Sequence, residues 1–184
     1  MNFLFNILIY LATILLSSTF GKYMHCPQNN SMCGTIVIES GFGDNAYSHN
    51  HIGYHGLWIS ANEYGNSLCV PPAANVFDSN IHALCDFVND PRDDYWFAKH
   101  EFFKHGICAG GSGPASVYFN TLCVLGSELI EYLRHYSTFA DMHSAILNSD
   151  VWKDYLFDVD LVNKQFLMSI CSTDLGYKWI FCSV

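Results

Sequence analysis

The stretch HEFFKH, from His100 to His105, holds two histidines, a glutamate and a lysine within six residues. Imidazole titrates near neutrality, while carboxylate and ammonium stay charged there. Such a set can move protons, bind an anion or hold a metal. On a helix of about 100° per residue, with His100 at zero, Lys104 falls at about 40°, Glu101 at about 100° and His105 at about 140°. Phe102 and Phe103 fall at about 200° and 300°. The spacing therefore predicts a helix with four polar groups on one face and two phenylalanines anchoring the other in a core. Zinc fits poorly, because H-E-x-x-H needs its histidines at i and i+4. Here Lys104 occupies that place, and its positive charge opposes a metal's. By itself the cluster suits a solvated helix face with a weak Glu–Lys pair as well as it suits an acid–base centre.

A second stretch changes that balance. In YHGLW, His55 lies on a strand-like run, Gly56 permits close backbone approach, and Trp58 offers a flat face on which a nucleobase can stack. Alone, His55 can be a half-buried strand histidine, and Trp58 reads first as core. Together with HEFFKHGIC the pair is far more specific. The two stretches resemble the two active-site segments of the T2 ribonuclease family, usually H-G-L-W-P and H-E-W-x-K-H-G-x-C. Further likeness lies in SLC at Cys69, in YFNTLCVLGSELIEYL, in the closing SICSTDLGYKWIFC and in the short CPQNNSMC.

The resemblance implies an RNase T2-like α+β fold, a central and mostly antiparallel sheet flanked by helices and stapled by disulfides. It implies Cys26–Cys33, Cys69–Cys108 and Cys171–Cys182 bridges. Cys85 and Cys123 remain and can pair with each other. It also implies metal-free cleavage of single-stranded RNA, without a cofactor, through a 2′,3′-cyclic phosphate to a 3′-phosphate. By resemblance His105 is the base, His55 the acid, Lys104 the stabiliser of phosphorane oxygens, and Glu101 the group that polarises the cluster. His100 would bind phosphate and Trp58 would stack on a base. Elementary chemistry agrees: displacement at phosphorus needs a base for the entering hydroxyl, an acid for the leaving oxygen, and donors where negative charge grows. The acid must start protonated and the base neutral, so their surroundings must split their pKa values. Lys104 eases deprotonation of the base and Glu101 opposes it; the expectation is an optimum on the acidic side of neutrality. A binding or effector protein on the same scaffold, with little or no catalysis, is the reading from a different class.

The remaining chain must position these groups. Its 184 residues suit one domain, expected over residues 22–184. Residues 1–21 read as a secretory signal peptide, with an apolar run at 3–16 and small residues Thr19 and Gly21 before the cut; an uncleaved anchor is the alternative. Eight cysteines with no C-x-x-C pair then read as disulfides in a secreted or endolysosomal protein, and Asn29 in NNS is a possible glycosylation acceptor. The expected partner is single-stranded RNA held at a small site. DNA and stable membrane association are not expected, and the protein is expected to be a monomer. The net charge of −9 disfavours a broad phosphate-binding face, although nine protonated histidines would offset nearly all of it.

Strand-like runs are expected at TIVI and HIGYHGLWIS, with the loop SGFGDNAYSHN between them. A helix is expected in FDSNIHALCDFV, capped by Asp78 or Ser79. A long amphipathic helix carries Tyr118, Leu122, Leu125, Leu129, Leu133 and Tyr136 on one stripe. A short helix covers residues 142–148, and two strands flank a turn near TDLG.

Overall fold

The computed structural model describes residues 32–60, 85, 96–106, 115–172 and 178–183. The expected signal peptide, Asn29, Cys26, Cys69, Cys108 and most of the helix expected around residues 78–88 lie outside them.

The described chain is α+β. Strand β1, Met32–Glu39, pairs antiparallel with β2, Gly53–Ser60, on one side and with β4, Gln165–Ser172, on the other. Strands β3, Phe157–Asp160, and β5, Trp179–Phe181, share the far edge of β4, each along a different part of it. The order β2-β1-β4-β3, with β5 also on β4, is antiparallel throughout. Three helices accompany the sheet: α1, Trp96–His105; α2, Ala115–Leu133; and α3, Phe139–Asn148.

Strand alternation builds the core. Ile36 and Ile38 of β1 join Phe166, Met168 and Ile170 of β4 in one apolar cluster with residues of all three helices. From α2 come Tyr118, Leu122, Leu129 and Leu133 of the expected stripe, joined by Phe119 and Ile130 beside it; Leu125 and Tyr136 of the stripe are partly buried against the cluster. α3 begins three residues earlier than the spacing predicts, because the Thr138 side chain accepts from the Asp141 backbone N–H at 3.1 Å and caps the helix. Cys85 is disulfide-bonded to Cys123 on α2, and Cys171 on β4 to Cys182 after β5. Cys33 is also disulfide-bonded. Among the described residues, no helix is long and apolar enough to cross a membrane.

Two details of this frame fix the candidate site. In the β1–β2 ladder, Val37 faces Gly56 and Ile38 faces Tyr54, so His55 is the extra residue of a β-bulge. A bulge breaks strict alternation and re-aims a side chain. Tyr54 and Leu57, three apart, can thus both enter the core while His55 is freed for another environment. The other detail is Tyr118 of α2. Its hydroxyl accepts from the Leu57 N–H at 2.9 Å and donates to the Leu57 carbonyl at 3.0 Å. This one side chain satisfies backbone groups of β2, which has β1 alone as its strand partner in the described sheet, and it clamps the strand to the helix layer.

Candidate active site

α1 lies against β2, but its buried arc differs from the one expected. Ala98, Glu101 and Phe102 are buried, whereas Phe103 is half exposed. On the same wheel, buried positions run from about 100° to 200°, with His105 inside that arc. Phe103 at about 300° is outside it and does not anchor the helix in the core. A carboxylate takes its place in the buried face. That is tolerable only because Glu101 finds partners there.

Those partners are the residues singled out from the sequence. The Trp58 indole N–H donates to Glu101 Oε2 at 2.9 Å. His55 Nε2 lies 3.6 Å from Glu101 Oε1, and His105 Nε2 lies 3.9 Å from Oε2. His100, at the exposed rim, places Nε2 4.0 Å from Oε1 and stacks its ring on Trp96. The Trp58 ring contacts both imidazoles, with centroids 5.4 Å from His55 and 5.3 Å from His105. One buried carboxylate and one indole thus tie β2 to α1 and gather two histidines 50 positions apart. Lys104 stands on the exposed side of the helix with no ion pair to a described carboxylate, yet its charge is felt at His105.

The glycines of both segments are required by close approach. A Cβ on Gly56 would collide with the Glu101 carboxylate and stand 3.2 Å from the Trp58 indole nitrogen. A Cβ on Gly106, buried just past α1, would stand 2.7 Å from Phe102 and 2.8 Å from Tyr118. Gly56→Ala is therefore expected to displace Glu101 from both histidines and to depress any activity of the cluster far more than it lowers Tm. Parallel thermal unfolding and activity assays check this; proportionate losses in both would contradict it.

Four further residues complete the surroundings of His55. Its Nδ1 lies 2.5 Å from Oε1 of Glu39, the last residue of β1, and 3.0 Å from the amide nitrogen of Gln165 on β4. Glu39 and Gln165 face each other in the β1–β4 ladder, and both are buried. The other Glu39 oxygen meets His49 Nε2 at 2.9 Å. Tyr47 stacks on the His55 ring and Phe97 meets it edge-on. Sequence reasoning passed over Glu39; its only signal is a carboxylate ending an otherwise apolar strand.

The electrostatics separate the two histidines. Burial is the largest influence on each and disfavours the imidazolium. At His55, hydrogen bonds and charges from Glu101 and Glu39 outweigh burial and raise the pKa to about 9. At His105, Glu101 alone favours the cation; Lys104, His55 and His100 add to burial, and the pKa falls to about 4. Glu101 acts more strongly on His55, 3.6 Å away, than on His105 at 3.9 Å; a second carboxylate behind His55 and a lysine beside His105 widen the difference. Glu39 and Glu101 both stay ionised. Burial opposes this, but the histidines they face pull both carboxylates below their ordinary range. His105 Nε2 is buried without a hydrogen-bond partner, an acceptor position with nothing to accept from.

At neutral pH the site therefore holds one imidazolium and one neutral imidazole on either side of a carboxylate. That arrangement can accept a proton at one point while donating one at another. Among the described residues, no group of three or more His, Cys, Asp or Glu is placed to hold a metal ion. Comparison with family models, with curated proteins and with solved structures finds no match for the chain.

Proposed function

We propose that the protein is a ribonuclease on a T2-like scaffold, cleaving single-stranded RNA by acid–base transphosphorylation without a metal. The observation that carries the reading is the pairing of His55 and His105 about Glu101, with opposite protonation states at neutral pH. His105 takes the proton of the ribose 2′-hydroxyl. The 2′-oxygen then bonds to the adjacent phosphorus, and the bond from phosphorus to the 5′-oxygen breaks. His55 Nε2 gives its proton to that leaving oxygen. The products are a 2′,3′-cyclic phosphate and a free 5′-hydroxyl. Water then opens the ring to a 3′-phosphate, with the two histidines exchanging roles.

Glu101 keeps the acid charged before transfer and gathers the two rings. Lys104 and His100 are exposed on the same helix; Lys104 supplies positive charge and His100 a hydrogen-bond donor to the phosphate. Trp58 commits its N–H to Glu101, so any stacking on a base uses the ring alone. The reading accounts for a set of groups that a purely structural helix would not need: a buried carboxylate, an unpartnered ring nitrogen, and a bulge that redirects a histidine.

Digestion of an end-labelled single-stranded RNA in EDTA tests it. The expected products carry 2′,3′-cyclic and then 3′-phosphate ends. Cleavage abolished by EDTA would place the chemistry on a metal. The absence of cleavage at any pH would leave a binding protein on the same scaffold.

A further inference from the structure

Glu39 has no part in the bond-making steps above, yet it is one of the most buried charged groups among the described residues, 2% exposed. Its two oxygens face two histidines: Oε1 the Nδ1 of His55 at 2.5 Å, Oε2 the Nε2 of His49 at 2.9 Å. The His49 ring is fixed from its other side by the His51 carbonyl, 2.5 Å from Nδ1. The carboxylate is thus held at both ends, by a bulge residue of β2 and by the loop that joins β1 to β2.

We propose that Glu39 is a positioning residue that holds the proton on Nδ1 of His55 and so confines proton exchange with substrate to Nε2. The inference rests on the ribonuclease reading for its consequence, but not for its geometry. Glu39 and Gln165 make opposite demands on Nδ1. A carboxylate needs that nitrogen protonated; an amide N–H needs it bare. A charge-assisted bond is about twice as strong as a neutral one. The shorter contact also belongs to Glu39. The carboxylate therefore decides the tautomer, and Gln165 can turn its amide oxygen to suit. With Nδ1–H committed, Nε2 is left on the Glu101 side of the ring, where the leaving oxygen must be protonated.

The titratable groups facing this pair are His49 and Tyr47 from the loop, and Glu101 and His105 from α1. Gln165 from β4, Trp58 from β2 and Phe97 from α1 complete the shell without charge. Removing the Glu39 charge leaves Glu101 as the sole carboxylate in contact with His55 among the described residues.

The test is NMR titration of the His55 ring in the whole chain, alongside pH–rate profiles, for wild type, Glu39→Gln and Glu39→Asp. Glu39→Gln is expected to lower the His55 pKa by about 1–3 pH units. The alkaline limb of kcat/KM should move down with it, while the acidic limb, set by His105, stays in place. Glu39→Asp, which restores the charge, should recover part of that change. A structural role alone would lower the rate without moving one limb. In wild type above pH 9, long-range nitrogen–proton correlations should show neutral His55 as the Nδ1–H tautomer. This needs no variant to fold. An Nε2–H tautomer, or an unchanged His55 pKa in folded Glu39→Gln, would overturn the proposal. Should wild type cleave no RNA, the NMR measurements still decide the role of Glu39, and only the ribonuclease reading falls.

Discussion

His105→Ala and His55→Ala are each expected to lower kcat/KM on single-stranded RNA by about 10²–10⁴-fold, the usual worth of one positioned acid or base. The two losses should not add. Groups that act on one transition state fail together, so the double variant should be little worse than the poorer single one. Stability should respond differently. His105 Nε2 has no hydrogen-bond partner to lose, so truncation there removes packing against Trp58 and little else. His55 is the shared partner of Glu39 and Glu101, and its loss leaves two buried carboxylates poorly compensated. His55→Ala should therefore also lower Tm clearly, and His105→Ala only slightly. Initial rates and thermal unfolding of the three variants check both halves. Additive rate losses would mean that the rings do not serve one step.

The pH dependence is the second large effect. In the free enzyme the base must be neutral and the acid protonated. kcat/KM should therefore be broad and bell-shaped, rising as His105 loses its proton near pH 4 and falling as His55 loses its own near pH 9. The centre lies midway, at about pH 6.5, on the acidic side of neutrality. A bound phosphodiester adds negative charge beside both rings and favours their protonated forms. Both limbs of kcat should thus lie at higher pH than those of kcat/KM. Stability shares these windows. The raised pKa of His55 stabilises the fold fully below its unfolded value of about 6.5, a contribution lost as pH climbs through about 9. The depressed pKa of His105 contributes above about 6.5 and is lost as pH falls through about 4. Ellipticity recorded at each pH separates unfolding from titration. A rate that climbs steadily through pH 9 in folded protein would contradict the assignment of His55 as acid.

Periodicity made much of the fold legible. The strand-like runs of β1, β2 and β4 and the stripe of α2 follow from residue type alone. Strand β3 did not stand out, because FDVD alternates aspartates with apolar residues over four half-buried positions and depends on β4 for its pairing. The start of α3 was legible only through its cap, Thr138 with Asp141 three residues on, a local hydrogen bond that apolar spacing ignores.

The site was legible in residue types and less so in direction. A helical wheel that sorts polar from apolar puts Glu101 outside and Phe103 inside. The molecule does the reverse, because Trp58 and His55 satisfy a buried carboxylate, while Phe103 stays half exposed with the Phe102 ring against its edge. Glu39 was hidden for a related reason. A lone carboxylate at a strand end is ordinary until a bulge, whose register no local pattern displays, turns a histidine toward it.

The whole account stands on two imidazoles about one carboxylate resting in opposite charge states, and NMR titration of the ring nitrogens of His55 and His105 in the wild-type chain measures this directly. At about pH 6.5 the account predicts His55 cationic and His105 neutral, with midpoints near pH 9 and pH 4. Two rings titrating together near their ordinary value, or His105 holding its proton while His55 is neutral, would contradict it.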